Sequence, residues 1–320
     1  MRHLALAQGA EFDRIREIAA ALGGRAQALG DDCAVVPTTG APLAISVDLS
    51  VEGVHFRRDW LSLEEIGWRA AASALSDLAA DGAAPLGLLA AVGMPPGAAD
   101  TEVAELMRGI GAAAAAVGAL VLGGDLSSAP VWSAAITVLG TVERPVTRAG
   151  ARAGDALWVT GALGGARAAL RAWQRGESPP PSARIAFAHP EPRIAAGLWL
   201  ARHGARAMLD VSDGLVGDAG HLAAASRLAV TLDLDRLPLA PDVVAAARAD
   251  AVAPPCFAAI GGEDYELLVA LPPSFGDTDA GGFTLATKLP LTRVGACAAG
   301  QGVVCHLGGC PVELRGFSHV

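Results

Sequence analysis

The stretch Ala207-Met-Leu-Asp-Val-Ser-Asp-Gly-Leu215 joins an apolar run to a helical pattern through a short acidic turn. The apolar residues before Asp210 predict a strand, and residues 215–226 predict a helix. In α/β folds, ligands bind where strands end and helices begin. Asp210 and Asp213 lie three residues apart across a tight turn. We therefore predict that both face one metal ion, with the Ser212 hydroxyl facing a phosphate oxygen.

Acidic residues stand in turn-like, glycine-rich or strand-end settings at six places along the chain. They are Asp31-Asp32, Asp48, Asp77, Asp125, the Asp210/Asp213 pair and Glu263-Asp264. Gathering carboxylates is unfavourable unless a cation compensates them. Hard divalent cations such as Mg²⁺ take such oxygen ligands, usually together with phosphates. One Asp-Gly pair is usually only a turn, but the whole set predicts a metal–phosphate site assembled from distant parts of the chain.

Strand and helix patterns alternate on both sides of a turn-rich, arginine-bearing connector at 144–154. In the first half we predict helices at 10–22, 62–80 and 100–117, a turn at 29–36 that feeds a strand, and strands at 43–47, 86–92, 119–122 and 131–142. In the second half we predict strands at 156–160, 207–209, 230–234, 267–271, 291–297 and 303–307, and helices after 165 and at 215–226. This pattern predicts an α/β (α+β) protein with two domains, residues 1–145 and 146–320.

Three acidic residues have notable positions in these predicted elements. Ser62-Leu63-Glu64-Glu65 is a capping box that opens a helix, and Asp77 falls in its last turn, where a carboxylate opposes the helix dipole. Asp48 is expected at the end of its strand. Asp125 is expected at the end of a buried strand that closes on Gly123-Gly124.

Composition and charge exclude several classes of function. The chain has 320 residues, 52% hydrophobic and 18% charged, with a net charge of −9. Without a basic cluster, nucleic acid is a poor partner. Lys288 is the single lysine and follows no glycine-rich loop, so a Walker A phosphate site is excluded. If phosphates bind, metals and arginines must neutralise them.

The cysteines and the apolar stretches indicate the compartment. None of the five cysteines forms a C-x-x-C pair, and the spacing of Cys297, Cys305 and Cys310 fits no usual zinc finger. Free thiols and the cytoplasm are therefore expected. The uncharged, alanine- and glycine-rich stretch at 109–124 is too short and too weakly apolar to span a bilayer.

Three further features each allow two interpretations. The glycine-rich turn at 161–165 either holds phosphate at a helix N-terminus or serves tight packing. His55 is a substrate contact or a structural histidine. Arg148 clamps a phosphate, which its guanidinium recognises well, or is a solvated arginine of the connector.

The motifs as a set closely resemble the thiamine-monophosphate kinase family, within the superfamily that includes aminoimidazole ribonucleotide synthetase. They keep the order of that family over nearly the full length. The matching stretches are 30–36, 46–56, 76–85, 122–125, 147–155, 159–164, 210–215 and 261–268. Gly-Val-His-Phe at 53–56 and Gly-Gly-Glu-Asp-Tyr-Glu-Leu at 261–267 favour this member over its relatives.

The resemblance implies ATP-dependent phosphorylation of thiamine monophosphate to thiamine diphosphate, by direct in-line transfer with Mg²⁺. It implies a four-stranded sheet in the N-terminal domain, a larger sheet in the C-terminal domain, and a homodimer with ATP near the interface. The implied metal residues are Asp32, Ser46, Val47 (by its backbone), Asp48, Asp77, Asp125, Asp210 and Asp213, of which Asp125, Asp210 and Asp213 are also catalytic candidates. Gly124, Arg148 and Ser212 are implied for ATP, and His55, Glu263 and Phe317 for thiamine monophosphate.

Three alternatives remain at this point. A selenophosphate synthetase would have a reactive cysteine near the N-terminus, whereas the first cysteine here is Cys33 inside the acidic motif. A hydrogenase-maturation dehydratase would end in cysteine, whereas this sequence ends in His319-Val320. A non-catalytic nucleotide- or metal-binding regulator on the same fold would have lost several of the carboxylates.

Overall fold

The computed structural model describes residue 6, residues 10–22 and residues 30–314. The first half folds into a sheet of five strands in the order β1-β2-β5-β3-β4, antiparallel except for the β3–β4 pair. Its elements are α1 (Ala10–Leu22), β1 (Ala34–Val36), β2 (Leu43–Val51), α2 (Leu63–Ala80), β3 (Ala84–Met94), α3 (Asp100–Ala116), β4 (Leu120–Ser128) and β5 (Ser133–Thr141). Helices α2 and α3 pack together and cover one face of this sheet.

The second half forms a mixed sheet of seven strands in the order β12-β11-β8-β10-β6-β9-β7. Its strands are β6 (Ala156–Thr160), β7 (Ala207–Asp210), β8 (Ala229–Asp233), β9 (Leu267–Leu271), β10 (Leu291–Ala298), β11 (Gly302–Leu307) and β12 (Cys310–Val312). Its helices are α4 (Gly165–Gln174), α5 (Pro181–Ala188), α6 (Ile194–Arg202), α7 (Leu215–Ser226), α8 (Val243–Ala249), α9 (Pro254–Ala259) and α10 (Asp277–Thr287), with a short 3-10 helix at Leu234–Arg236. Strands β6, β7 and β9 are buried throughout.

Helix α2 packs against elements of both halves. The capping box predicted at Ser62 is present, with both reciprocal hydrogen bonds formed. A Cβ at Gly67 would lie 2.0 Å from a carbonyl oxygen of α3, and one at Gly197 of α6 would lie 2.0 Å from a carbonyl oxygen of α2. Glycine at these positions lets both helices approach α2 closely. This packing places the last turn of α2, which carries Asp77, beside the end of β7.

The structure corrects three expectations about the first sheet. The sheet has five strands instead of four, because residues 34–36 pair with β2. Strand β2 continues to Val51, so Asp48 lies within the strand and not at its end. Strand β4 was expected to be buried and to end at Asp125, but all nine of its residues are exposed and it runs on to Ser128. An apolar run predicts a strand without indicating what covers it.

Within the described part of the chain, no helix is both long enough and apolar enough to cross a bilayer.

Candidate active site

An acidic cavity of about 440 Å³ lies where β2, α2 and the end of β7 meet. Most of the predicted site residues line it. Those from the first half are Asp32, Ser46, Val47, Asp48, His55 and Asp77, and those from the connector and second half are Arg148, Asp210, Ser212, Asp213 and Glu263. The carboxylates that the sequence scatters over more than 200 residues therefore share one cavity.

Asp32, Asp77 and Asp210 form the centre of this cavity. One carboxylate oxygen from each lies within 4.8 Å of the other two. The Ser46 hydroxyl donates a 2.5 Å hydrogen bond to Asp77. Burial and the neighbouring Asp32 raise the pKa of Asp210 to about 7, and burial and the neighbouring Asp48 raise that of Asp77. Oxygen donors with this excess of negative charge fit a hard divalent cation such as Mg²⁺.

Arg148 forms hydrogen bonds with Asp32 of this cluster and with the adjacent Asp31. Its Nε and a terminal nitrogen donate to the two oxygens of Asp32, at 3.0 and 2.7 Å. Its backbone N–H donates to Asp31 at 2.9 Å. Burial and the charge of Asp32 raise the pKa of Asp31 to about 6. The solvated-linker interpretation of Arg148 is therefore wrong: the residue lines the cavity and ties the connector to the first half.

A second group of metal-type ligands follows the acidic turn of β7. One ligand atom each from Asp213, Asp218 and His221 lies within 4.8 Å of the other two. The Asp213 N–H donates to Asp218, and His221 Nε2 lies 3.4 Å from an Asp213 oxygen. Asp218 and His221 were not predicted as site residues. Their i, i+3 spacing on α7 was the signal that could have found them, since it places both on one helix face.

The motif at 261–266 divides its acidic residues between two roles. Glu263 lines the cavity, whereas Asp264 points to α4 and accepts a 2.7 Å hydrogen bond from the Gly164 N–H. Burial raises the pKa of Asp264 to about 8. This side chain therefore caps the glycine-rich turn before α4, so the phosphate-site interpretation of that turn is wrong. Asp264 also does not belong to the predicted metal cluster.

Backbone bonds hold this motif against the turn of β7. The Glu263 N–H donates to the Ser212 carbonyl at 2.8 Å, and the Tyr265 N–H donates to Val211 at 2.9 Å. Glu263 and Tyr265 adopt φ values of +69° and +51°, a region that non-glycine residues rarely occupy. Such conformations persist only where the surroundings enforce them, so the two motifs form one rigid wall.

Arg69 is a site residue that the sequence analysis missed. Its side chain is 5% exposed, forms an ion pair with Glu263, and donates to the Phe187 carbonyl at 2.6 Å. Its guanidinium lies 3.8 Å from the centre of the Phe187 ring. A single arginine in the alanine-rich α2 gives no sequence signal, because only the packing shows that it turns inward.

A second cavity of about 630 Å³ adjoins the acidic one and shares His55, Ser212 and Glu263 with it. Its walls are mainly apolar and aromatic. The rings of Trp60 and Trp173 stack there, with centroids 5.2 Å apart and planes 3° from parallel. The described lining is Gly53, Val54, His55, Phe56, Arg57, Trp60, Ala166, Arg167, Leu170, Trp173, Gln174, Phe187, Ser212, Ile260, Gly262 and Glu263.

Two predicted site residues, Gly124 and Asp125, are absent from the lining of both cavities. Gly124 and Asp125 lie on the edge strand β4, three strands away from β2. At about 4.8 Å per strand, that separation is about 14 Å. The chain therefore does not bring Asp125 to its own Asp32–Asp77–Asp210 cluster. Phe317 lies outside the described residues.

In the absence of divalent metal, the stability of the protein should fall as the pH rises. The folded-state pKa values of Asp77 and Asp210 are raised, whereas unfolded carboxyls titrate near about 4. A raised folded pKa means that the folded state binds the proton more tightly. These groups therefore stabilise the folded state at low pH, and this stabilisation is lost as the pH rises. For Asp210 the loss is complete near the folded-state pKa of about 7.

Thermal unfolding in a chelator between about pH 5 and pH 8 measures this effect. We expect added Mg²⁺ to raise Tm more at the upper pH, because a divalent cation would bind the ionised carboxylates and not the protonated ones. Asp210→Asn lacks one of the raised groups, and its metal-free Tm should fall less steeply than that of the wild type. Equal slopes for the two proteins would contradict the prediction.

Family comparisons agree with this architecture. The family model for the N-terminal domain of AIR synthase related proteins matches residues 30–142, and that for their C-terminal domain matches residues 152–303. The fold and the acidic cavity between the two halves thus define an AIR synthase related protein.

Among curated relatives, the thiamine-monophosphate kinase of Halobacterium salinarum is 38% identical over 79% of this chain and 83% of its own. Among solved structures, AaThiL complexed with AMPPCP and TMP superposes with a TM-score of 0.87 and 30% identity, covering 97% of both chains. The chain belongs to the thiamine-monophosphate kinase family. A HypE–HypF complex also matches, with a TM-score of 0.78, but at 16% identity that likeness shows the fold alone.

Proposed function

We propose that this chain transfers the γ-phosphoryl group of ATP to thiamine monophosphate and releases thiamine diphosphate and ADP. The observation that carries the proposal is the pair of adjoining cavities. One is lined by carboxylates suited to metal-bound phosphates, and the other has aromatic walls suited to the rings of the acceptor. The names of the relatives, and the AMPPCP and TMP in the AaThiL structure, support it.

We propose that the carboxylates of the acidic cavity hold Mg²⁺. The donor set is Asp32, Ser46, the Val47 backbone, Asp48, Asp77, Asp210 and Asp213. Mg²⁺ held by these residues would neutralise the negative charge that develops on the phosphates during transfer. The residues of the chain position the metals and the two substrates for a direct in-line displacement. The acceptor is itself a phosphate, so it needs no strong general base.

We propose that the aromatic cavity binds the thiamine moiety, which carries a positively charged thiazolium ring. The stacked indoles of Trp60 and Trp173 provide flat apolar walls, and such faces also attract cations. Glu263, fixed by its ion pair with Arg69, supplies negative charge where the two cavities join. The acceptor phosphate would then lie beside Ser212 and the metal-binding carboxylates.

Trp173→Leu should raise KM for thiamine monophosphate about tenfold and leave KM for ATP unchanged. Loss of one aromatic wall removes about 1.4 kcal/mol of binding. Steady-state kinetics with each substrate varied in turn measures this split. Trp199→Leu is the matched control, because Trp199 stacks on His203 outside both cavities. An unchanged KM for thiamine monophosphate in Trp173→Leu would place the thiamine rings elsewhere.

We propose that two copies associate through the uncovered face and edge of the first sheet, with ATP near that interface. Large apolar side chains are exposed there on β2 and β4. They are Val47 (62%), Leu49 (56%), Leu120 (65%), Leu122 (54%) and Leu126 (57%). Contiguous exposed apolar patches and open strand edges are typical of interfaces. Gly124 and Asp125 lie on this edge, where a dimer would place them at the interface and available to ATP.

Leu122→Asp should convert a dimer into a monomer, since a buried unpaired carboxylate opposes association. Light scattering coupled to size-exclusion chromatography measures the mass. Leu285→Asp is the control, because Leu285 is 74% exposed on α10 in the second half. A wild-type protein that runs as a monomer would contradict the proposed dimer.

We also propose a cytoplasmic location, because the five cysteines are free and four of them are buried, a state typical of a reducing compartment.

The reaction itself is tested by chromatography of the products formed from ATP, Mg²⁺ and thiamine monophosphate, with free thiamine as the control acceptor. We expect thiamine diphosphate from the monophosphate and no phosphorylation of free thiamine. Binding of ATP without formation of thiamine diphosphate would overturn the proposal and assign the chain a different acceptor.

A further inference from the structure

Asp81 is a buried carboxylate that neither cavity uses. It is the C-cap residue of α2 and is 0% exposed. It is absent from the lining of both cavities. One of its carboxylate oxygens nevertheless lies within 4.8 Å of an oxygen from Asp31 and one from Asp32. The carboxylates of Asp31, Asp32 and Asp81 therefore meet in a second acidic group that shares Asp32 with the first.

No described side chain pairs with the Asp81 carboxylate. Among the described residues, neither of its oxygens has a hydrogen-bond partner. Burial and the charges of Asp31 and Asp32 raise the pKa of Asp81, and the Arg148 guanidinium and the Cys33 backbone N–H oppose this rise. A buried ionised carboxylate is strongly unfavourable unless it is paired or coordinates a metal. Asp81 therefore points to an additional positive species at this position.

The backbone holds Asp81 in this orientation. Its N–H donates to the Asp77 carbonyl at 3.1 Å, and its own carbonyl accepts from the Val146 N–H at 3.1 Å. Gly82 follows with a φ of +67°, and a Cβ there would lie 2.6 Å from the Ala201 side chain. The turn is confined on both sides, so the carboxylate stays directed at Asp31 and Asp32.

The charges decide what kind of group fits. Three ionised carboxylates carry three negative charges, and Arg148 compensates one of them through its two bonds to Asp32. Two negative charges remain, which one divalent cation neutralises. The available donors are carboxylate oxygens, the ligands of hard cations. Asp31 and Asp32 line the acidic cavity, so a cation can reach the group from there.

We propose that Asp31, Asp32 and Asp81 bind a divalent cation of the hard, oxygen-preferring class. This site is separate from the Asp32–Asp77–Asp210 cluster, and Asp32 is the carboxylate that the two share. A cation there joins the end of α2 to the N-terminal acidic turn and, through Arg148, to the connector. Its existence does not depend on the reaction that the chain performs.

Binding of Mn²⁺ alone, without nucleotide or thiamine phosphate, tests the site. Electron paramagnetic resonance counts the ions bound per chain. We expect the wild type to bind one more ion than Asp81→Asn, and the control Asp277→Asn to bind as many as the wild type, because Asp277 is exposed on α10. Anomalous diffraction from wild-type crystals soaked in Mn²⁺ should show a peak in contact with Asp31, Asp32 and Asp81.

Equal numbers of bound ions in the wild type and Asp81→Asn would overturn the proposal. An anomalous peak at the Asp32–Asp77–Asp210 cluster, with none beside Asp81, would overturn it too and would indicate that Asp81 keeps a proton. The wild-type map decides the question even if Asp81→Asn fails to fold. Because no substrate is present, failure of the proposed kinase reaction leaves this measurement unaffected.

Discussion

Asp210→Asn should lower kcat for phosphoryl transfer about a thousandfold while the protein stays folded. Asp210 ends β7 and is 4% exposed, and its carboxylate belongs to the cluster with Asp32 and Asp77. An amide of the same shape keeps the packing but loses the negative charge that holds a divalent cation. Metals supply several kcal/mol of transition-state stabilisation, and a loss of about 4 kcal/mol corresponds to about a thousandfold in rate.

The measurement is kcat at saturating Mg²⁺, ATP and thiamine monophosphate, with Tm recorded in a chelator alongside. The metal-free variant should be at least as stable as the wild type, because burial and Asp32 disfavour the ionised Asp210. The control Asp277→Asn, at an exposed position on α10, should have the kcat and the Tm of the wild type. If Asp210→Asn retained more than about a tenth of the wild-type kcat, a loss below about 1.4 kcal/mol, Asp210 would not be a metal ligand.

Arg148→Met should lower the free energy of unfolding by about 3–5 kcal/mol in the absence of metal, the usual effect of removing one partner from a buried ion pair. The side chains of Arg148 and Asp32 are 18% and 0% exposed, and the two are joined by a bidentate contact. Methionine leaves Asp32 buried beside Asp31 and Asp210 without its counter-charge. Mg²⁺ should restore part of the loss, because a bound cation compensates the same carboxylates.

Denaturant unfolding with and without Mg²⁺ measures this change. Arg148→Lys keeps the positive charge but not the bidentate geometry, so it should lower the free energy of unfolding less than Arg148→Met does. Arg152→Met is the matched control in the same connector, because Arg152 is exposed and its replacement should leave stability nearly unchanged. A metal-free Arg148→Met protein as stable as the wild type would show that the ion pair is not a stabilising one.

Local pattern predicted most elements that carry the site. The helix at 215–226 and the capped helix α2 are confirmed as predicted, because a strong apolar periodicity and a clear start signal agree in each. The helices at α5, α6, α8, α9 and α10 were not predicted. They are short or weakly periodic, and packing against neighbouring elements, mostly other helices, stabilises them more than their own sequence does.

Prediction of the site was less complete for residues whose role depends on packing. The acidic motifs indicated the right chemistry, but Arg69, Asp218 and His221 of the site, and the buried Asp81, were not predicted. Each lies on, or at the end of, an alanine-rich helix. Hydrophobic periodicity identifies the apolar face of such a helix, but it does not show where a single polar side chain points. Asp125 was expected beside the other carboxylates, and the strand order places it on the far edge of the sheet.

The sequence by itself determined the order of the acidic motifs, the absence of a Walker A lysine, and the resemblance to a family of kinases. These depend on residue identity and short-range spacing, which are readable along the chain. Only the tertiary structure decided which carboxylates share a cavity, that Glu263 faces it while Asp264 caps α4, and that Arg148 pairs with Asp32 across 116 residues. Contacts between distant segments follow from strand order and helix packing, and no local pattern encodes them.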